Sequence, residues 1–156
     1  SIANRGFFYT PHCIKGIGNE KRIDEKFKTK HYVGVQNPEA YQNVIDGMQG
    51  ALEPGGTAFT NRIKDIIVCG KTGTAQNPGG KDHSVFLAFA PRDNPKIAIA
   101  CIVENAGFGN TWAAPIVTLM IEKYLKGKTD RIEVEKRILE ADLINNTNLI
   151  AQKQHH

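Results

Sequence analysis

A chain of 156 residues with 40% hydrophobic and 23% charged residues and a net charge of +4 has the size and composition of one globular domain. That excludes a disordered tail or a fibrous repeat, and it allows a core without disulfide staples. No apolar run approaches the roughly 18 residues that a bilayer-spanning helix needs. The positive charge does not read as a nucleic-acid surface. Lys21, Arg22, Lys26, Lys28 and Lys30 are interrupted by Glu20, Asp24 and Glu25, with only Phe27, His31 and Tyr32 interleaved.

In chain order, Ser1 to Gly6 predicts the last turn of a helix, stopped by Gly6 in the left-handed C′ conformation. This opening has neither an initiator Met nor a signal-peptide layout, so the chain is expected to be part of a longer parent. Phe7 to Thr10 predicts a short strand before Pro11, and residues 15–36 predict loops and short extended pieces. Asn37-Pro38 is a helix start, with Asn as cap and Pro at N1. Tyr41, Val44, Ile45, Met48 and Leu52 recur at helical spacing as its buried face, and Pro54-Gly55-Gly56 ends it.

Three strands are expected next. Ile66-Ile67-Val68-Cys69 opens the first. Ser84–Ala90 and Lys96–Val103 are joined by Pro91 to Pro95, a loop so short that it implies an antiparallel hairpin. In the last strand Ile97, Ile99, Cys101 and Val103 alternate with Ala98, Ala100 and Ile102, and the small alanines are expected to admit a helix. After Gly107-Phe108-Gly109, Asn110 or Thr111 caps a helix over 111–126 with Ala113, Ile116, Val117, Met120 and Tyr124 on its apolar face. Pro115 is tolerable there only in the first turn, and Gly127 ends the helix. Asp130 with Glu133 resembles a capping box for a weaker helix to about Leu143. The tail is expected to be mobile. The sum is an α+β domain, an antiparallel sheet packed against helices.

The chemistry concentrates in Cys69-Gly70-Lys71-Thr72-Gly73-Thr74-Ala75-Gln76. Gly70-Lys71-Thr72 suggests a phosphate-binding loop, but the position that needs the leading glycine is Asp65. Residues 66–69 read as strand, and no helix follows, which sets a nucleotide site aside. As Lys-Thr-Gly on a sheet edge, each residue has a use. Lys71 offers charge to a substrate carboxylate, Thr72 a hydroxyl, and Gly73 lets an extended peptide approach the strand. The backbone N–H of Thr74 can donate to a developing oxyanion.

That motif is followed by Phe86-Leu87-Ala88-Phe89-Ala90-Pro91, by Ile97 to Glu104-Asn105, and by a glycine loop and a helix. With Ala3-Asn4-Arg5-Gly6 and Thr10-Pro11-His12 ahead of it, the chain resembles the class B penicillin-binding proteins, especially their elongation-type members, over about residues 1–126. The resemblance implies the C-terminal portion of a transpeptidase domain over 1–126, with the Lys-Thr-Gly strand at 66–76, a hairpin at 84–103 and a closing helix at 111–126. Residues 127–156 add a helix and a mobile tail. It implies a parent D,D-transpeptidase that cross-links peptidoglycan, is acylated by D-Ala-D-Ala stem peptides and β-lactams, and partners a glycosyltransferase of the elongation machinery. It also implies an anchor in the inner membrane and a periplasmic catalytic domain.

Two of the family's three motifs are not matched. The serines are Ser1 and Ser84, and neither begins Ser-x-x-Lys. Ser-x-Asn is absent, and Tyr41-Gln42-Asn43 falls on the predicted buried face of a helix. The isolated chain is therefore expected to be inactive. The alternative is a non-catalytic peptide-binding module with the same Lys-Thr-Gly edge. No cofactor is expected. Cys13, Cys69 and Cys101 lack metal spacing, and the five histidines are scattered. Cys69 and Cys101 read as core residues, and the strand order that the resemblance implies puts the Ser84 strand between theirs, too far apart for a disulfide. Trp112 reads as packing and His83 as a loop residue.

Overall fold

Residues 1–6 close into a helix-terminating turn in the computed structural model, which describes residues 1–35 and 37–144. Arg5 N–H donates to Ile2 O and Gly6 N–H to Ser1 O, both at 2.9 Å. These are the paired bonds of a Schellman turn. The residue in its left-handed position is Arg5, at φ 54°, and Gly6 follows at φ 113°. The turn thus stops one residue earlier than the expected Gly6. A side chain on Gly6 would also meet the Tyr41 hydroxyl at 3.0 Å.

The chain divides into two compact units, Ser1–Asp46 and Gly47–His156. In the first, β1 (Phe7–Tyr9) pairs antiparallel with β2 (Lys30–Tyr32). Helix α1 (Pro38–Gly50) runs across the division. The Asn37 side chain accepts the Glu39 N–H at 2.9 Å, so the cap read from the sequence is present. Ile45, Met48 and Leu52 are buried, whereas Val44 is exposed. Tyr41 donates its hydroxyl to Val35 O at 2.9 Å, which gives it a structural task.

The second unit is built on a three-stranded antiparallel sheet, β3 (Cys69–Ala75), β4 (His83–Ala90) and β5 (Ile97–Val103), in that spatial order. The first strand starts at Cys69, so Ile66 to Val68 precede it; Ile66 instead bridges Ile63. Thr72 pairs with Phe86 and Phe86 with Cys101. Side chains alternate across a strand, so Thr72, Thr74, Ser84, Phe86, Ala88, Ile99 and Cys101 share one face, and Lys71, Gly73, Val85 and Leu87 the other.

Helix α2 (Ala113–Lys126) covers the first face. Phe86, Ala88, Val117 and Ile121 form the core there with Leu52, Ile63 and Val68, and Ile97, Ile99, Cys101 and Val103 pack against it. The helix thus lies on the Ile-Cys-Val face of β5, while Ala98, Ala100 and Ile102 are exposed. Branched side chains bury more apolar area than alanines, which decides the face. Gly70 serves this packing, because a Cβ there would meet the Phe86 ring at 2.5 Å.

The helix also presents a different stripe from the expected one. Ala113, Ala114, Val117, Thr118, Ile121 and Glu122 are buried, and Met120 and Tyr124 are exposed. Pro115 falls in the first turn, where it is tolerated. Neither Asn110 nor Thr111 is the cap; the position is Trp112, with no side-chain bond of its own. The cap function comes from across the sheet. Ser84, wholly buried, accepts the Ala113 N–H at 3.1 Å and donates its hydroxyl to Phe108 O at 2.9 Å. One hydroxyl satisfies an orphan amide of α2 and pins the preceding glycine loop.

Gly127 ends α2 in the left-handed conformation, φ 77°. Helix α3 (Ile132–Leu139) follows, shorter than expected, and its cap position is Arg131 rather than Asp130. Arg131 turns back to Glu122, Nε to Oε2 at 2.9 Å, and its Nη1 donates to Thr118 Oγ1 at 3.1 Å. Thr129 donates to the same carboxylate at 2.7 Å. Burial by itself raises the Glu122 carboxyl. The hydrogen bonds from Thr129 and Arg131, with the charges of Arg131 and Lys126, outweigh burial and hold it below its ordinary value of 4.5. The Asn-rich tail, residues 145–156, lies outside the described residues.

Ser84→Ala should lower unfolding free energy by about 1–3 kcal/mol, since it strands the buried Ala113 N–H and releases Phe108 O; urea denaturation measures this. Glu122→Gln should cost about 1.5–3 kcal/mol at pH 7, the scale of a charge-assisted hydrogen bond, by depriving the half-buried Arg131 of its carboxylate. A depressed carboxylate stabilises above its unfolded-state pKa and loses that contribution as pH falls through the folded value. The gap between the wild-type chain and Glu122→Gln should therefore be full above pH 4.5 and shrink below it, as followed by denaturation across an acid series.

Candidate functional site

All four residues singled out by the sequence stand consecutively on β3: Lys71, Thr72, Gly73 and Thr74. Among the described residues β3 pairs only with β4, so its other edge carries backbone groups without a neighbouring strand. Lys71 is exposed, and its Nζ donates to Thr72 O at 2.6 Å. Thr72 and Thr74 face the other side, where they line an open cleft of about 360 Å³ with Thr57, Gly109, Asn110 and Thr111. Thr57 Oγ1 and Thr72 Oγ1 lie 3.2 Å apart. The strand thus offers one ammonium on one face, a row of hydroxyls on the other and a backbone edge between them. That set suits a carboxylate-bearing extended peptide.

The cleft depends on how closely the loop after β5 approaches the strand. Gly109 is buried, and a Cβ on it would meet Val85 O at 2.3 Å and Gly73 O at 2.7 Å. Only glycine lets the loop lie against the β3 and β4 backbones there. Gly73 is crowded on its own side chain's face, since a Cβ would meet Val85 Cβ at 3.3 Å. Its role in the structure is therefore close packing against β4.

Sequence reasoning missed the supports of this loop. Asn61, buried in a short 3-10 turn (Phe59–Asn61), donates its side-chain amide to Asn110 O at 3.1 Å and to Asn110 Oδ1 at 2.5 Å. Arg137 on α3 donates to Thr111 O at 3.1 Å, and its guanidinium sits 5.2 Å from the Trp112 ring centroid. Trp112 therefore packs, as its surroundings in the sequence suggest. His83 is the first residue of β4 rather than a loop residue, and its Nδ1 accepts the Asn105 N–H at 3.0 Å. Across the end of the sheet, Asn77 donates to Asn105 Oδ1 at 2.6 Å. None of these polar side chains has a period or spacing that marks it; each is legible only once the loops meet.

Ser84 is consumed by its two structural bonds and lies under the helix, not in the cleft. Tyr41-Gln42-Asn43 lies on α1, with the Tyr41 hydroxyl engaged. Lys71 sits within a strand with no helix after it, so the phosphate-loop geometry is not present. Among the described residues Cys13, Cys69 and Cys101 form no disulfide. Among the described residues no group of three His, Cys, Asp or Glu side chains could hold a metal, and no helix is long and apolar enough to cross a membrane.

Comparison with known proteins accounts for this arrangement. Residues 1–122 match the family described as penicillin binding protein transpeptidase domain. A curated relative, peptidoglycan D,D-transpeptidase MrdA of Haemophilus influenzae, is 31% identical over 152 residues, covering 85% of this chain and 23% of that protein. The crystal structure of Pseudomonas aeruginosa PBP2 in complex with WCK 5153 superposes with a TM-score of 0.69 at 31% identity, over 83% of this chain and 29% of the other. The penicillin-binding protein A of M. tuberculosis, solved as an imipenem acyl-enzyme complex, gives 0.61 at 26% identity, over 80% of this chain and 28% of the other. The chain spans about a quarter of the length of these relatives. The Lys71-Thr72-Gly73 strand, its place at the head of an antiparallel hairpin and the match over residues 1–122 together make the chain a member of the penicillin-binding protein transpeptidase domain family.

Proposed function

We propose that the parent protein is a serine-type peptidoglycan D,D-transpeptidase and that this chain forms the substrate-binding wall of its active site. The observation that carries the reading is the family match over residues 1–122 with Lys71, Thr72, Gly73 and Thr74 on the open edge of β3. In this reading a stem peptide ending in D-Ala-D-Ala lies along that edge as an added strand. The Thr72 hydroxyl, in the cleft, takes its terminal carboxylate, and the Lys71 ammonium reaches round the open edge from the other face to complement that charge. The Thr74 N–H donates to the oxygen that becomes negative as the scissile carbonyl turns tetrahedral.

The attacking serine comes from another segment of the parent, because Ser84 is buried and bonded and neither serine begins Ser-x-x-Lys. Its Oγ forms an ester with the penultimate D-Ala carbonyl as the peptide bond to the terminal D-Ala breaks, and the departing amine takes a proton. An amine from a neighbouring stem then attacks the ester, forms the cross-link amide and returns the proton to the serine. A β-lactam enters the same path by opening its ring on the serine. The imipenem acyl-enzyme of the mycobacterial relative supports that step. The same reading places the parent at the bacterial inner membrane through an anchor outside this sequence, with its catalytic domain in the periplasm and a glycosyltransferase of the elongation machinery as partner.

A fluorescent penicillin should label the parent protein covalently and leave the isolated chain unlabelled. Lys71→Ala in the parent should slow acylation on the order of 10²-fold, the scale for removing one electrostatic contact to the transition state. A parent that forms no adduct would overturn the reading; labelling of the isolated chain would overturn the assignment of the nucleophile elsewhere.

A further inference from the structure

We infer that α3, which lies after the residues matched by the family, is a positioning element for the Thr72-Thr74 cleft, acting through Arg137 and Arg131. The inference rests on the reading of the cleft as a substrate wall. Three observations carry it. The match to the family ends at residue 122 and α3 begins at Ile132. Four cleft-lining residues, Phe108, Gly109, Asn110 and Thr111, belong to the loop between β5 and α2. That loop is held directly by Arg137 of α3 and indirectly, through Asn61, by Arg131 at the helix's cap position.

The outer point is Arg137, which binds Thr111 O and lies over Trp112. The inner point is Arg131, whose Nη1 reaches Asn61 O at 3.5 Å while Asn61 grips Asn110 through its amide. Glu122 and Thr118 fix the Arg131 guanidinium from α2, and its Nη2 is buried with no hydrogen-bond partner. A guanidinium held with one nitrogen unsatisfied is placed by its other contacts rather than by its own best solvation. Both arginines donate to main-chain oxygens of the loop or of its neighbour, and Arg137 also stacks on the Trp112 ring, so they set the loop's path without entering the cleft. Since Gly109 lies against the Gly73 backbone, a shift of the loop reaches the strand that holds Lys71 and Thr74. Neither arginine lines the cleft, so both are positioning residues.

Arg137 is the residue to test, because it is exposed and its loss leaves the core intact. The parent protein should be followed with a fluorescent penicillin under single-turnover conditions that separate non-covalent binding from the acylation rate. Arg137→Ala should weaken binding roughly 3- to 10-fold, the scale of one cation–π contact and one hydrogen bond. Its acylation rate constant should stay within about two-fold and its Tm within about 2 °C. Arg137→Lys, which keeps a donor for Thr111 O, should recover part of the binding, and Lys136→Ala on the same helix should match the wild type. Binding by Arg137→Ala equal to wild type would overturn the inference, as would a loss that tracks the unfolded fraction. Acylation of the wild-type parent with no effect of Arg137→Ala removes the brace alone. A wild-type parent that is never acylated removes the substrate-wall reading beneath it.

Discussion

The backbone of Gly109 lies against the backbones of Gly73 and Val85 with no room for a methyl group between them. Interiors at native packing density transmit displacement rather than absorb it, so the loop and the strand behave as one wall. The Thr72 and Thr74 hydroxyls face a cleft whose opposite side, Asn110 and Thr111, comes from that loop. The polar devices around it, from Ser84 to Arg137, hold an approach that is sterically permitted but that the loop's own chain would not maintain.

Those devices share a design. Ser84 supplies a cap that α2 does not provide for itself, and it does so from the middle of the sheet, so helix start, loop and strand are fixed by one hydroxyl. Glu122 is buried on α2 and would be costly alone; Thr129 and Arg131 make it a clamp between α2 and α3. Asn61 extends the clamp to the loop. Ser84, Asn61 and Arg137 each bond a partner at least 24 residues away, so the wall is held by tertiary contacts and not by local propensity.

Much of the fold is legible in the sequence because its signals are local. Asn37-Pro38 caps α1, Gly127 ends α2, and the five residues from Pro91 to Pro95 force an antiparallel hairpin. The Lys-Thr-Gly strand stands where the motif puts it, beginning only three residues later than its apolar run suggests. The stripe of α2 is not legible in this way. Periodicity counts Met120 and Tyr124 as core, whereas the structure exposes both and buries Glu122, where it pairs with Arg131. The face of β5 under the helix is misjudged for a related reason. Small alanines permit close approach, but branched residues reward burial more. Asn61, Ser84 and Arg137 carry no sequence signal at all, since their meaning lies in which loops come together.

The loop's geometry is written almost entirely in main-chain contacts. Phe108 O, Asn110 O, Thr111 O and the Ala113 N–H are the atoms that Ser84, Asn61 and Arg137 hold. The side chains of Phe108 and Thr111 are exposed. Selection can therefore exchange them at constant loop path, and with them the polarity and width of the cleft. Gly109, by contrast, admits no replacement. The lining of the cleft can thus change on a scaffold that does not move, which makes the cleft evolvable where its frame is not.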